Sequence, residues 1–271
     1  MIFLEADLSQ AESRVVFMLT QDPELRRLAR LPSYEYDAHS DNAKVILGAK
    51  ETDPDWKKKR HIGKITSHGA QRDMRGAKLS GNILKELDIL ITPERCDQYI
   101  QAYHNRRPAI RGVYFREIRK LVMRDKMLVN SWGREIDFRY DRLDDELFRQ
   151  AYSFLPQSEV ADLLNQRGLY PTWLYVKSRF GFPPNVQVHD SLLVSVRPED
   201  AYDLAVFIRN QLERPLLLAG EQLIIPVEFK LGINWGASEK LREGVEFKRL
   251  PSRKEFTAAA YFLEERRRGK V

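Results

Sequence analysis

The run Val186-Gln187-Val188-His189-Asp190-Ser191-Leu192-Leu193-Val194-Ser195-Val196 constrains this chain more than any other stretch. Two short Val- and Leu-rich segments with period-two alternation read as strands. The polar pair His189-Asp190 lies between them. A hairpin with that pair at its tip holds a carboxylate at the edge of a sheet, which suits a divalent cation if a second carboxylate is near. The start of the chain offers one. Met1 to Leu8 is an apolar strand that ends at Asp7, and Ser9 followed by Glu12 has the spacing of a capping box, predicting a helix that starts at Ser9.

The 271 residues leave room for one large or two small domains, and a 43% hydrophobic share supports a real core. One cysteine, Cys96, excludes a disulfide framework and fits a reducing compartment. A net charge of +6 and a pI near 9.3 point softly toward a polyanionic partner. The sequence shows no signal peptide, membrane-spanning apolar run, internal repeat, phosphate-binding glycine loop or zinc-type Cys/His cluster. No membrane partner is expected.

Tyr36 to Ala43 opens a helix that carries His39. Farther on, Arg60, Lys64, His68 and Arg72 recur every four residues, so a helix over about 57–75 lines them along one face. Such a row of cations repels itself unless a polyphosphate lies across it. A solvated basic helix is the plainer alternative. Gly63 and Gly69 each cost that helix about 1 kcal/mol relative to Ala, which weakens a purely structural reading. Gly76 to Asn130 reads as mostly helical, with a start at Thr92-Pro93. Val129 to Phe138 reads as a strand pair around Gly133. Val160 to Phe182 reads as a helix interrupted at Gly168, a further helix starts at Pro198, and Val227 to Trp235 reads as a strand. Residues 237–271 end in a basic run, Arg266 to Lys270, and read as a helix plus a tail.

Together these segments resemble the family A DNA polymerases. Asp7-Leu8-Ser9-Gln10-Ala11-Glu12-Ser13-Arg14 is similar to their motif A, Gln187-Val188-His189-Asp190-Ser191 to motif C, and Arg60, Lys64, His68 and Gly69 to motif B, with the phage-like His. Pro156-Gln157-Ser158 followed by Ala161-Asp162 resembles the segment before the family's long palm helix. The resemblance spans residues 2–236.

It implies an α+β fold, an antiparallel palm sheet with helices plus a mostly helical fingers subdomain. The palm would take residues 1–30 and 131–236, the fingers 31–130, and a basic extension 237–271. It implies two Mg²⁺ ions, with Mn²⁺ as a substitute, held by Asp7, Asp190 and the Leu8 carbonyl. Arg60 and Lys64 would hold the triphosphate of a dNTP, Lys64 also giving a proton to the leaving pyrophosphate. His39 would contact the triphosphate and His68 the base or sugar, while an exposed helix-start histidine remains the alternative for His39. Glu12 would exclude a ribose 2′-hydroxyl. Gln157, His189 and Arg134 would meet primer-template DNA, with a buried cap or turn as the alternative for Gln157.

Two departures stand out. Arg72-Asp73 replaces the family's Tyr-Gly, and the expectation is that Arg72 pairs with Glu12. Ser191 replaces the acidic residue that often follows the motif C Asp. The chain opens at motif A, without thumb, first palm strands or exonuclease region. The reading is therefore a split or truncated DNA polymerase module that needs an N-terminal partner, in the cytoplasm or in a host's cytoplasm if phage-encoded. A sheet whose first strand starts at Met1 is expected to have exposed edges there. The competing readings are a non-catalytic nucleic-acid-binding subunit that retains the fold, and another two-carboxylate metal enzyme such as a nuclease.

Overall fold

The computed structural model describes residues 1–180, 186–234 and 244–269. The first half of the chain runs β1 (Ile2–Leu8), α1 (Ala11–Leu19), α2 (Pro23–Arg30), α3 (Ala38–Leu47), α4 (Trp56–Gln71), α5 (Gly76–Leu87), α6 (Pro93–Arg106) and α7 (Arg116–Asp125). It continues through β2 (Met127–Val129), β3 (Glu135–Asp137), α8 (Asp145–Leu163), α9 (Tyr170–Phe180), β4 (Val186–Val188) and β5 (Ser191–Val196). The rest is α10 (Pro198–Leu212), β6 (Leu216–Leu218), β7 (Glu221–Leu223), β8 (Val227–Gly232), β9 (Val245–Phe247) and α11 (Arg253–Arg267). The architecture is α+β, as the resemblance implied. Phe182, Trp235 and Lys270, named in the sequence reading, lie outside the described residues.

The fold separates into two compact units, one formed by residues 1–11, 160–216 and 224–271, the other by 12–159 and 217–223. These breaks differ from the motif-based boundaries at 30/31 and 130/131. The reason lies in α1, whose side chains belong with the helices that follow it. Ser13 bonds Gln71 at the end of α4, and Arg14 donates to the Ala29 and Leu31 carbonyls after α2.

The first unit is built on a five-stranded antiparallel sheet in the order β4-β5-β1-β8-β9. Alternation in β1 sends Ile2, Leu4, Ala6 and Leu8 to one face, where they are almost fully buried with Leu192, Val194, Val196, Val227, Phe229 and Leu231. Each such side chain contributes roughly 1.5–3 kcal/mol on burial. Helices α10 and α11 pack against each other and against β1 and β8. The other face of the sheet carries Glu5, Asp7, Glu228 and Lys230, with Asp7 opposite Ser191 on one side and Glu228 on the other. The expectation of an exposed edge at the first strand is corrected: β1 is the central strand, paired along its length by β5 and β8.

The α9 region follows the predicted interruption, because a π-helical stretch at Leu164–Leu169 joins α8 to α9. Gly168 lies within it. A Cβ there would meet Leu164 and Leu212 side-chain carbons at 3.0 Å, so only the smallest residue lets α10 approach. Residues 245–269 extend the sheet by β9 and cover its apolar face with α11, which starts with a capping box between Ser252 and Glu255.

The second unit is mostly helical. Helices α3 and α4 cross closely at Gly63, where a Cβ would lie 2.5 Å from the His39 carbonyl oxygen and 2.9 Å from the Ala43 nitrogen. Asn42 Nδ2 donates to the Gly63 carbonyl at 2.8 Å across this crossing. Thr92 caps α6 and Pro93 occupies its first turn, as predicted. Arg107, almost fully buried, pairs with Asp41 and lies over the rings of Tyr103 and Phe17. The β2–β3 hairpin turns at Gly133, φ +82°, where Asn130 Oδ1 accepts from the Trp132 and Arg134 amides. No helix among the described residues is long and apolar enough to cross a membrane.

Candidate functional site

The predicted carboxylates of the first unit do converge. Strands β4 and β5 form a hairpin whose two-residue turn is His189-Asp190, with His189 at φ +51°. The Leu8 amide donates to the Asp190 carbonyl at 3.0 Å, which fixes that turn beside the end of β1. Burial pushes the Asp7 carboxyl up to about 7, helped by repulsion from Asp190 and eased by the Lys230 ammonium. Lys230 itself lies 3.9 Å from Glu5. Burial works against its charge, but attraction to Asp7 and Glu5 outweighs that and holds its pKa above the ordinary value.

A carboxylate whose ionisation is resisted by burial first and by Asp190 second leaves the donor set short of positive charge, and a hard divalent cation supplies it. The residues fit such an ion. All the donors offered are oxygens, the class that Mg²⁺ prefers. Among the described residues no three His, Cys, Asp or Glu side chains converge into a closed metal cage. An ion held here would therefore keep water or substrate oxygens in its remaining positions, as Mg²⁺ commonly does.

The start of α1 departs from the capping-box prediction. The helix begins at Ala11, after a turn in which Gln10 takes φ +54°. The Ser9 hydroxyl donates to Glu228 on β8 at 2.9 Å, and the Ser9 amide donates to the Pro226 carbonyl. Tertiary pairing with β8 thus wins over the local motif.

In the second unit α4 places Arg60, Lys64 and His68 along one non-buried face, while Ile62, Ile65, Thr66 and Ala70 face inward. The helix ends at Gln71, short of the predicted 75. Arg72 is its C-cap, and Asp73 turns the chain with φ +53°. Arg72 Nη2 reaches Glu12 Oε2 at 2.5 Å, the pairing expected from the sequence. His68 Nδ1 lies 3.8 Å from the same oxygen. Burial pushes the His68 imidazole down to about 4, against the pull of Glu12, so the ring is neutral near pH 7.

His39 opens α3 beside its cap Asp37, but it is only 5% exposed, so the alternative of a solvated helix-start histidine is set aside. Its ring lies 5.4 Å from that of His68, centroid to centroid. Burial and the neighbouring His68 hold it neutral, well below the ordinary histidine range. Arg60 does not stand alone on its face, since its Nε and Nη2 both bond Asp37 Oδ2, at 2.7 and 2.5 Å. Lys64 is exposed.

Gln157 is exposed within α8, one residue after Pro156, so neither a buried cap nor a turn accounts for it. Arg134 is exposed beside the β2–β3 turn, and His189 is exposed at the hairpin tip. Three polar groups placed with these residues escaped the sequence reading. Asp37 both caps α3, accepting from the His39 and Ser40 amides, and holds Arg60. Its signal was an Asp two residues before His39 at a helix start. Glu228 and Lys230 share the Asp7 face of the sheet, and the polar alternation within Val227 to Leu231 would have shown it.

The sequence model of the family described as DNA polymerase family A matches residues 1–237. DNA polymerase I of Synechocystis sp. is 25% identical over 259 residues, which cover 86% of this chain and 24% of that protein. The solved structure of the POL domain of Pol1 from M. smegmatis, in complex with DNA primer-template and dNTP, is similar in fold. Its TM-score is 0.65 at 20% identity, over 96% of this chain and 41% of that one. The chain thus spans about a quarter of the curated relative's length. With motif A, motif B and motif C each on the element expected and the family model matching most of its length, the chain belongs to DNA polymerase family A.

Proposed function

We propose that this chain is the nucleotidyl-transfer module of a template-directed DNA polymerase, adding dNTPs to a primer 3′ end. The observation that carries the reading is the Asp7–Asp190 pair, two carboxylates at adjoining strand ends with the Asp7 pKa raised to about 7. Asp7, Asp190 and the Leu8 carbonyl would hold the divalent cations. Two such ions, when bound, activate the 3′-hydroxyl and neutralise charge on the leaving pyrophosphate.

The chain's own side chains supply the rest. In this reading Lys64 and Arg60 grip the triphosphate, Arg60 exchanging part of its hold on Asp37 for phosphate oxygens. Lys64 donates a proton to the departing pyrophosphate oxygen. His68, kept neutral, stacks near the base or sugar, and His39, its ring 5.4 Å from that of His68, contacts the triphosphate. Glu12, fixed by Arg72, stands against a 2′-hydroxyl. Gln157, His189 and Arg134 contact the primer-template, Gln157 through minor-groove acceptors shared by all correct pairs. In these terms residues 1–30 and 131–236 are palm, 31–130 fingers, and 237–271 a basic extension.

The thumb and remaining palm come from polypeptide outside these 271 residues, an N-terminal partner. The 24% and 41% share of its relatives that the chain covers supports the need for further polypeptide, whether a separate partner or more of the same chain. High processivity by the chain alone would count against it.

The test is primer extension with Mg²⁺ beside an Asp190→Ala control. Extension abolished by the control supports the module. Absence of extension together with absence of Mg²⁺-dependent dNTP binding overturns it. That outcome favours the second reading, a non-catalytic subunit that keeps the fold, for which the engagement of Arg60 by Asp37 is the specific observation.

A further inference from the structure

Helix α11 lies beyond residue 237, where the family match ends, and exposes two aromatic side chains away from its buried face. Phe256, Ala260 and Leu263 are buried against the sheet and α10. On the opposite side Tyr261 and Phe262 are 45% and 47% exposed, beside exposed Ala258. Large apolar side chains exposed side by side on one helix face mark a candidate interaction surface.

The outer residues Lys254, Ala258, Tyr261 and Glu265 are spaced 4, 3 and 4 apart, the interval of a coiled-coil seam. Their order is self-complementary. When the helix is laid antiparallel on a copy of itself with the two-fold axis between residues 259 and 260, Lys254 meets Glu265 of the copy. In the same register Ala258 meets Tyr261, a small residue opposite a large one. Each contact occurs twice, as an isologous interface requires. Within the chain neither the Lys254 nor the Glu265 side chain forms an ion pair among the described residues, so both charges are available.

We propose that the outer face of α11 is a homodimerisation surface, pairing antiparallel with α11 of a second copy through Tyr261 and Ala258 and closing with two Lys254–Glu265 ion pairs. The interface is small, so association is weak and depends on concentration.

The test is sedimentation velocity of the 271-residue chain over a wide concentration range, with three samples beside the wild type. Lys254→Glu places carboxylates opposite each other, and Glu265→Lys places ammonium groups opposite each other. Each variant alone is expected to weaken self-association roughly tenfold or more, because like charges then meet across the seam. An equimolar mixture of the two restores dimer. In the mixed pair the carboxylate introduced at position 254 of one copy faces the ammonium introduced at position 265 of the other, and the retained Glu265 of the first faces the retained Lys254 of the second. Far-UV circular dichroism confirms that both variants are folded, which exposed positions lead one to expect. A wild-type chain that stays monomeric throughout overturns the proposal. So does a dimer that neither variant weakens, and so does a mixture no more associated than its components.

Discussion

The Arg72 guanidinium holds the Glu12 carboxylate at 2.5 Å, tying the first turn of α1 to the C-terminal end of α4. His68 sits 3.8 Å from the same Glu12 oxygen, beyond hydrogen-bond reach and neutral near pH 7, so it is Arg72 that holds this carboxylate. Its orientation is therefore set before any substrate arrives. In the proposed role Glu12 excludes a 2′-hydroxyl by position, and Arg72 is what maintains the position. The pair is partly exposed, so it is worth on the order of 1 kcal/mol. Replacing Arg72 by Ala releases Glu12 and should relax discrimination against ribonucleotides several-fold, while Arg72→Tyr should alter it through a different partner. The measurement is the ratio of dNTP to rNTP incorporation in single-turnover extension. Equal ratios for Arg72→Tyr and wild type would show that the pair does not govern sugar selection.

Gly63 makes a second, sharper case. Helix propensity alone predicts that Gly63→Ala stabilises α4 by about 1 kcal/mol. The crossing predicts the reverse, because the new methyl would press on the His39 carbonyl and the Ala43 amide at distances no real Cβ tolerates. Overpacking of that kind typically costs about 1–3 kcal/mol. Urea unfolding should therefore show Gly63→Ala to be less stable than wild type, with Asn42 losing its bond to the Gly63 carbonyl. A gain in stability would mean that α3 moves away at little cost.

That contrast also marks what the sequence can disclose. Asp7 and Asp190 were legible because each lies at or beside the end of an apolar strand; period-two alternation survives in β1, while β5 buries Leu192, Leu193 and Val194 in succession. The α4 face was legible because side chains four apart stay in line on any helix. Gly63 read as a weakness of the helix, because the reason for it lies on α3, a contact partner that no local pattern identifies. Ser9 misled for the same reason: its hydroxyl goes to Glu228, more than two hundred residues away. The central position of β1 was likewise invisible. Its neighbours β5 and β8 come from the far end of the chain, and only their pairing reveals that the first strand has no open edge.

His104 sets a pH dependence. It is 4% exposed, edge-on to Tyr103 and Phe115. Burial, with the nearby Arg111 charge, pushes it from 6.5 down to about 3. The unfolded chain takes up this proton below about pH 6.5 and the folded one does not. Full stability is therefore present above 6.5 and is lost as pH falls toward 3. At pH 5 the cost is about 2 kcal/mol from this group. A His104→Phe variant keeps the aromatic packing without the proton. Its stability relative to wild type should rise as pH falls from 7 to 5, measured by denaturant titration. A pH-independent difference would place the acid sensitivity elsewhere.

Asp7 gives the opposite slope. Its ordinary value is 3.8 and its value in the fold is about 7, raised by burial first and by Asp190 second. Below about pH 4 the group is protonated whether the chain is folded or not, and its contribution is fully favourable. As pH rises to 7 the unfolded chain ionises while the folded one keeps its proton, so stability slides by at most about 4 kcal/mol. An Asp7→Asn variant lacks the slide. It should match wild type near pH 4 and exceed it at pH 8 in the absence of divalent cations. Adding Mg²⁺ at pH 8 should then stabilise wild type, because ligands that bind only the folded state raise its apparent stability, and should do little for Asp7→Asn. Asp190→Asn separates the two causes. With the repulsion gone, the Asp7 pKa, followed by carboxyl NMR, should fall partway toward 3.8 and remain raised by burial. Parallel pH profiles for wild type and Asp7→Asn would show that the Asp7 carboxyl is neither desolvated nor repelled enough to titrate away from its ordinary value. An Mg²⁺ response that survives in Asp7→Asn would move the cation to another part of the chain.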